Sequence, residues 1–547
     1  QKLLAESKLN EVKEAEMELS KLILEQYYDF LLTQRIVSIY ADGLETSNVS
    51  LDMAKLQFSK GEIEIADYAR VVEGLTKIRT QYETAKKRKF DKDKSRFIIT
   101  WAQNNTDVHK GFFENIKAYA EHIDADIHVI AGRYKNPTSV FTDKDVDFWV
   151  DDVIPYLDAN RHNVHKYLSI MSDIKIQPTA TNPMSGLQGM SGINSCVFGA
   201  PKVQMEMIPV LQGNKPKMMV TTGAVTKMNY TDSKSGKKGE FHHTYGFTIV
   251  EIKDKESFYV RQVTADDKTG DFTDLFYKVS SGTVSKIESI SAIVWGDMHF
   301  GHHDQDVIDA THNMLKNIKP KHVVLHDVFD GNSISHHDMK NPFKQYAKEV
   351  HNQNSLQNEV SNMLDGLKPF ESYDKVVIVR SNHDDFLDRW LKNEDWKRQP
   401  TSKNSLAYME YSTMLLKQYA KGEVKGVIPE IINQRFPKFI TLNRNASYMV
   451  KNWELGQHGD VGSNGSRGSL LQFRKLNTKI VVGHYHSPGR KDGALAVGTS
   501  TKLRVGYNIG PSSWLQSHVI IHKDGRAQHI NFIKDSEDRI GFTTFEI

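Results

Sequence analysis

Five short segments of this 547-residue chain concentrate oxygen and imidazole side chains. They are Gly296-Asp297-Met298-His299, His326-Asp327-Val328-Phe329-Asp330, Ser381-Asn382-His383-Asp384, Gly456-Gln457-His458 and Gly483-His484-Tyr485-His486. Carboxylate, amide and imidazole donors without thiolate suit a hard or borderline divalent ion such as Mn²⁺, Fe²⁺ or Zn²⁺. Asp297, His299, Asp327, Asn382, His458, His484 and His486 are too many for one ion and suit two that share a carboxylate. Two ions about 3.5–4 Å apart can clamp a phosphate, generate a hydroxide near neutral pH and stabilise attacking and leaving oxygens. His383 is surplus to that set but sits beside Asn382, where it could give a hydrogen bond or proton to a departing oxygen.

Such residues need a frame that gathers them. Ala292–Trp295, His322–Leu325, Lys375–Val379, Lys479–Val482 and Val519–Ile521 read as short apolar strands. Helical spacing spans Asp306–Ile318 and a longer tract from Gln345 to Leu367. Apolar strands alternating with helices imply a buried sheet covered by helices. In open sheets of this kind ligands bind beyond the carboxyl ends of the strands, where the motif residues fall.

Upstream, the spacing predicts a helical region over 1–95 and an α/β region over 96–286, which precede a third domain over 287–547. The middle region opens with a strand at Phe97–Trp101, a helix at Phe112–Ile123 and a strand at Ile127–Ile130, then turns richer in strand. Asn182–Val197, rich in Gly, Ser and Met, reads as a long surface loop. No internal repeat or low-complexity tract is legible. A basic run at Lys86–Arg96 could track a phosphate backbone or could be a solvated helix end.

Lys+Arg 71 against Asp+Glu 68 leaves a net charge of +3, so any polyanion must be met by local patches. A single cysteine, Cys196, excludes an internal disulfide framework and a Cys-rich zinc site, and suits a small buried residue in a reducing compartment. No apolar run is long enough to cross a bilayer as a helix. A cytoplasmic protein with no membrane partner is expected. Amphipathic front helices make a homo-oligomer plausible.

The ordered series Asp-x-His, Asp-x-x-Asp, Asn-His-Asp, His and Gly-His-x-His resembles the calcineurin-like metallophosphoesterase superfamily across residues 287–547. Five motifs in order make the match specific. The resemblance implies an α/β fold in which a C-terminal sheet sandwich is flanked by helices. It implies two divalent ions, Mn²⁺ foremost, with Fe²⁺, Zn²⁺ or Mg²⁺ as alternatives. Asp297, His299 and His486 would hold one ion, Asn382, His458 and His484 the other, and Asp327 would bridge. His383 matches the catalytic histidine and Asp330 the second acid of Asp-x-x-Asp. His326 and Ser381 stand where the family usually has glycine.

His326, beside the bridging acid, and Arg467, in the loop Gly462–Gly468, are candidates to meet substrate phosphate. His302, His303, His312, His322, His336 and His337 are expected to be surface or core residues. The Asp327–Asn332 stretch is closer to the SbcD-like nuclease version of its motif than to the phosphatase version. The overall layout also resembles the pre-early, host-DNA-degrading proteins of T5-type bacteriophages. Together these favour DNA as partner and a metal-dependent DNase as activity. A phosphatase or small-molecule phosphodiesterase, and a non-enzymatic DNA- or protein-binding takeover factor, are the alternatives.

Overall fold

The computed structural model describes residues 80, 84, 87–91, 93–134, 149–395, 397, 402–506 and 508–546. The helical region expected over 1–95 lies largely outside them. The fold is mixed α/β, with two large sheets, a third of five strands, and several helices.

Strand β1 (Arg96–Gln103) is followed by helix α1 (Lys110–His122), β2 (Asp126–Gly132) and β3 (Leu157–Asp158). Then come β4 (Arg161–His165), β5 (Leu168–Met171), β6 (Ser195–Phe198), β7 (Gln204–Ile208) and β8 (Lys217–Thr221). Helix α2 (Lys234–His242), β9 (Gly246–Ile252) and β10 (Phe258–Thr264) complete this half. A small antiparallel sheet, β11 (Phe272–Asp274), β12 (Tyr277–Ser280) and β13 (Thr283–Lys286), leads onward.

The second half opens with β14 (Ser289–Val294), α3 (Gln305–Asn317) and β15 (Lys319–His326). Helices α4 (Pro342–Val350) and α5 (Leu356–Leu367) precede β16 (Val376–Val379), and α6 (Asp384–Asn393), α7 (Ser405–Lys421) and α8 (Val427–Arg435) precede β17 (Ile440–Thr441). There follow β18 (Met449–Val450), β19 (Trp453–Glu454), α9 (Leu470–Phe473), β20 (Lys479–Val482), β21 (Gly489–Lys491) and β22 (Ala494–Ala496). The chain closes with β23 (Ser517–Ile521), β24 (Ala527–Asn531) and the hairpin β25 (Ile533–Lys534) and β26 (Ile540–Gly541).

The two halves share one topology. In the first, β1 pairs parallel with β2 and β2 with β3, while β9 joins β1 antiparallel and β10 joins β9 antiparallel. In the second, β14, β15 and β16 are parallel in the same order, and β23 and β24 repeat the antiparallel additions. The remaining strands match as well. The series β4-β5-β6-β8-β7 is antiparallel, parallel, parallel, antiparallel, and so is β18-β19-β20-β22-β21. The first crossover helix has 13 residues in each half. A structural repeat that the sequence did not reveal therefore underlies the described chain. Among the described residues, the first half shows no counterpart of the helices around β16 or of β17.

Strands β7 and β21 pair antiparallel, Met205 with Arg490 and Gln204 with Lys491, and fuse the two five-strand series into one ten-stranded sheet. The boundary expected at 286/287 thus falls between strand sets that this sheet joins, because an edge strand from each side supplies the ladder. Each half is a sandwich. Alternate residues of β14 to β16, such as Val294, Val324 and Val377, face Trp453, Val481 and Leu495 of the long sheet. Their neighbours Ile293, Val323 and Ile378 face the helices. In the first half Ile99 and Trp101 face Ile170, Val197 and Val220, while Ile98 and Ala102 face Phe112 and Ile116 of α1. Period-2 alternation with both faces apolar is what a strand covered on both sides requires.

Two local expectations change. The tract from Gln345 to Leu367 breaks between α4 and α5, where Ser355 caps α5 by accepting from Asn358 N–H. The basic run is partly spent on the fold. Arg88 pairs with Asp126 and donates to Ile127 O, Lys94 pairs with Asp124, and Arg96 donates to Ile123 O and Thr544. These cations are held by local acids and carbonyls and do not line a free track. Lys86 and Lys92 lie outside the described residues.

Candidate metal centre

The motif residues gather beyond the carboxyl ends of β14, β15, β16, β19 and β20. Backbone geometry there is unusual: His299, Asp327, His484 and His486 all have positive φ, between 40° and 75°. Non-glycine residues occupy that region at a cost, and such strain persists where surrounding structure enforces it. His299 N–H donates to Asp327 O, and the neighbouring Asp297 is held by its backbone as well. Its N–H donates to Gly498 O and its carbonyl accepts from Ser500 N–H and Thr499 Oγ1. Gly296 N–H donates to His518 Nδ1, and Ser500 Oγ donates to Gly296 O.

Asp297, His299, Asp327 and His486 are buried, and their donor atoms lie within 4.8 Å of one another. His486 Nε2 is 3.1 Å from Asp297 Oδ2 and 3.1 Å from His299 Nε2. Asp327 Oδ2 stands 3.4 Å from His299 Nε2 and 3.2 Å from His458 Nε2. Asp327 therefore faces imidazoles from two sides. The His484 ring centre is 5.3 Å from that of His458. Asn382 ends the turn after β16, beside His383. Among the described residues, Asp297 Oδ1, Asp327 Oδ1 and Asn382 Oδ1 are buried with no hydrogen-bond donor. Buried carboxylate oxygens without a donor are costly, and a cation would satisfy them. The donor set fits a divalent ion of mixed oxygen and nitrogen preference.

Charges follow this packing. Burial would raise Asp327, but the neighbouring imidazoles of His458, His383 and His299 hold it well below the usual range. Burial would lower His458, yet the Asp327 carboxylate raises it to about 9. Burial likewise opposes, and contact with His299 overcomes, the shift of Asp330 down to about 2. Burial lowers His383 and His484.

Around the cluster, further groups set orientation. His299 Nδ1 donates to Asp330 Oδ1 at 2.9 Å, which turns its Nε2 toward Asp327 and His486. His383 Nδ1 donates to Asp330 O at 2.5 Å, which leaves Nε2 for other work. Asp330, matched to the second acid of Asp-x-x-Asp, thus contacts both histidines, through its side chain and its carbonyl. His326, expected to meet substrate, is wholly buried, with Nδ1 3.4 Å from His458 Nδ1. The structure thus sets this ring beside a ligand-type histidine. Its Nε2 has no partner among the described residues. Arg467 is exposed in its loop, with backbone pairing to Val461.

Three contributors, Glu359, Trp514 and His518, were not legible, nor was the role of a fourth, Asp384 of the Asn-His-Asp motif. Glu359 of α5 accepts from Asn332 N–H, Ser333 N–H and Ser333 Oγ, and so fixes the turn after Asp330. Burial, then the Asp330 charge, raises it to about 7. Asp384 accepts from Ser381 N–H and is raised to about 7 by burial. Trp514 stands 4.2 Å from the His486 ring, and His518 anchors Gly296. Only Gly498-Thr499-Ser500, at a strand end, carried a signal that could have drawn attention.

The equivalent crevice of the first half is filled. A side chain at Gly483, after β20, would strike Asp297 and His326; one at Gly199, after β6, would strike Trp101 and Ile130. Where the second half reads Gly483-His484-Tyr485-His486, the first reads Gly199-Ala200-Pro201-Lys202. Beyond β2 the first residue is Arg133; beyond β15 it is Asp327. The Lys175 ammonium donates to Ala131 O at 2.7 Å and Ser172 O at 2.9 Å, at the ends of β2 and β5. The Lys175 ammonium thus ties these two strand ends together. Among the described residues, the groups able to hold a metal all lie in the second half.

No family model and no solved structure matches the chain significantly. Protein A1 of Escherichia phage T5 is 29% identical over 471 residues, which cover 81% of this chain and 82% of that protein. The chain is thus similar, over most of its length, to a bacteriophage protein. Among the described residues no helix is long and apolar enough to cross a membrane.

Proposed function

We propose that this chain is a calcineurin-like metallophosphoesterase of the SbcD-like nuclease branch, a dimetal-dependent DNase encoded by a phage and directed at host DNA in the bacterial cytoplasm. Residues 287–547 would be catalytic and 96–286 accessory. The observation that carries this reading is the buried Asp297, His299, Asp327 and His486 cluster with its unpaired carboxylate oxygens. Asp297, His299 and His486 would hold one ion, Asn382, His458 and His484 the other, and Asp327 both. When bound, two such ions polarise a phosphate and make a nucleophilic oxygen available at neutral pH.

The chain's own residues do the rest. Asp330 keeps His299 in the tautomer whose Nε2 faces the cluster, and its carbonyl fixes His383 with Nδ1 protonated. Nε2 of His383 would then be free to meet a bound phosphate, whose negative charge would oppose the lowering that burial imposes on this imidazole. That group stabilises the crowded phosphorus and passes the Nε2 proton to the departing oxygen. His326 steadies His458, and Glu359 steadies the Asp330 turn. Arg467 remains a candidate for backbone phosphate.

Metal-stripped protein titrated with Mn²⁺, Mg²⁺ and Zn²⁺ against closed circular and linear DNA tests the reading. Metal-dependent loss of supercoils supports it. Intact DNA beside a well-cleaved aryl phosphodiester would replace it with a small-molecule phosphodiesterase. His383→Ala should keep its metal and lose most turnover; unchanged DNA cleavage refutes the assigned role.

A further inference from the structure

Beside His383 a chain of rings leads out of the candidate centre to the surface. The His383 ring centre lies 4.6 Å from that of His299 on one side and 4.7 Å from that of Phe386 on the other. Beyond Phe386 comes His336, its ring centre 5.1 Å away and nearly perpendicular, and then His337, 3.9 Å from His336. His299 is buried, His383 and Phe386 are half-buried, and His336 and His337 are exposed.

The fold fixes this array. Helix α6 buries Asp384, Leu387, Asp388, Trp390 and Leu391, so Phe386 and Arg389, three residues apart, share its outer side. Phe386 N–H donates to His383 O, and both rings therefore ride on one turn. Gly331, at φ 74°, lets the phenyl ring close in: a side chain there would meet Phe386 Cδ2 at 3.1 Å. Core packing does not require an aromatic residue here, since the outer face of an amphipathic helix is ordinarily polar.

Charge accompanies the rings. The Arg389 guanidinium lies over the Phe386 ring, 5.7 Å from its centre. Burial, then the charges of His337 and Arg389, lowers His336 and favours its neutral ring. Arg389 and Lys340 are exposed, and among the described residues neither pairs with a carboxylate. Nucleobases stack on aromatic faces and guanidinium planes, while the phosphates between them seek cations.

We infer that Phe386 and His336 form a stacking platform for the nucleobase on the leaving side of the scissile phosphate. This rests on the nuclease reading above. A proton handed from His383 to the departing oxygen places the nucleoside that carries this oxygen on the His383 side, where the platform begins. A base paired within a duplex does not reach these rings until it is frayed or extruded, so the strand enters with this base out of the stack. Arg389 and Lys340 supply charge for the phosphate beyond it.

Two single-stranded oligomers of equal length, one of thymidine and one of abasic tetrahydrofuran units, test the platform with the Mn²⁺-loaded full chain. The wild type should cleave the thymidine strand with a KM lower by about tenfold or more, the scale of one stacked base. His336→Ala and, as a second variant, Phe386→Leu should raise the KM for thymidine and close the gap between the strands, with a smaller effect on kcat. Equal KM values in the wild type, or an equal loss on both strands in the variants, would overturn the platform and leave these rings as supports of His383. A single strand carrying 2-aminopurine separates this inference from the nuclease reading. Its fluorescence should be quenched on binding the wild type and less quenched by His336→Ala. Quenching without cleavage would sink the nuclease reading and keep the platform; cleavage with neither quenching nor a KM gap would do the reverse.

Discussion

The two halves of the described chain fold alike and differ at one end of their strands. At the ends of β14 and β15 the second half sets Asp297, His326 and Asp327, whereas the ends of β1 and β2 carry Trp101, Ile130 and Arg133. In one half, carboxylates and imidazoles are buried without enough protein partners. In the other, an indole fills the space and an ammonium satisfies the carbonyls. Topology alone therefore does not produce a cation site; leaving buried donors unsatisfied does.

The strongest way to break this comparison is Asp327→Asn. It should reduce bound metal from about two ions per chain to near none and cut cleavage at least about a thousandfold, checked by elemental analysis and plasmid nicking. Lys175→Met, in the other half, should leave both unchanged; an equal loss of cleavage would mean the first half takes part in the chemistry. Next in size is Trp101→Ala, which empties a packed crevice. It should cost about 3–5 kcal/mol in denaturant unfolding without altering metal content.

Glu359→Gln should slow turnover roughly tenfold, in the range of groups that orient ligands. Its folded value is raised from 4.5 to about 7. Between those limits the native state holds a proton that the unfolded chain releases, so this group's contribution to stability declines as pH rises through the window. Melting curves of Glu359→Gln should show that decline removed. The smallest effect belongs to His518, whose value burial lowers from 6.5 to about 3. Below pH 6.5 the unfolded chain gains a proton that the native state refuses, so stability falls on acidification. His518→Gln should flatten that acid limb by a few degrees in Tm, of the order expected from about 1 kcal/mol.

The centre was legible because its residue types are rare in combination and each follows a short apolar strand. His299, Asp327 and His486 come together as their spacing implied. What surrounds them was not legible. Glu359 reaches the Asp330 turn from a helix 27 residues on in sequence, and nothing in its own neighbourhood marks it. His326 read as an extra polar group near phosphate; only the packing shows it behind His458. The repeat escaped because a sandwich strand demands alternation of apolar residues and little else. Ile98-Ile99-Thr100-Trp101 and Ile293-Val294-Trp295-Gly296 meet that demand with different side chains. The partners of Arg88 and Lys94 were hidden for a related reason: charge in sequence does not reveal whether Asp124 and Asp126 wait beside it in space.

The ladder between β7 and β21 has a consequence for concentration. Two sandwiches joined edge to edge as separate molecules would part on dilution, but here the partner edge is tethered to the same polypeptide, and its local concentration never falls. The outer margins of the long sheet are blunt, β18 with two residues and β4 with a bulge between Asn163 and His165. Growth by further strand addition is thereby discouraged at both margins. What one copy could achieve only in a crowded solution, this chain carries out alone, from its first molecule in the cell.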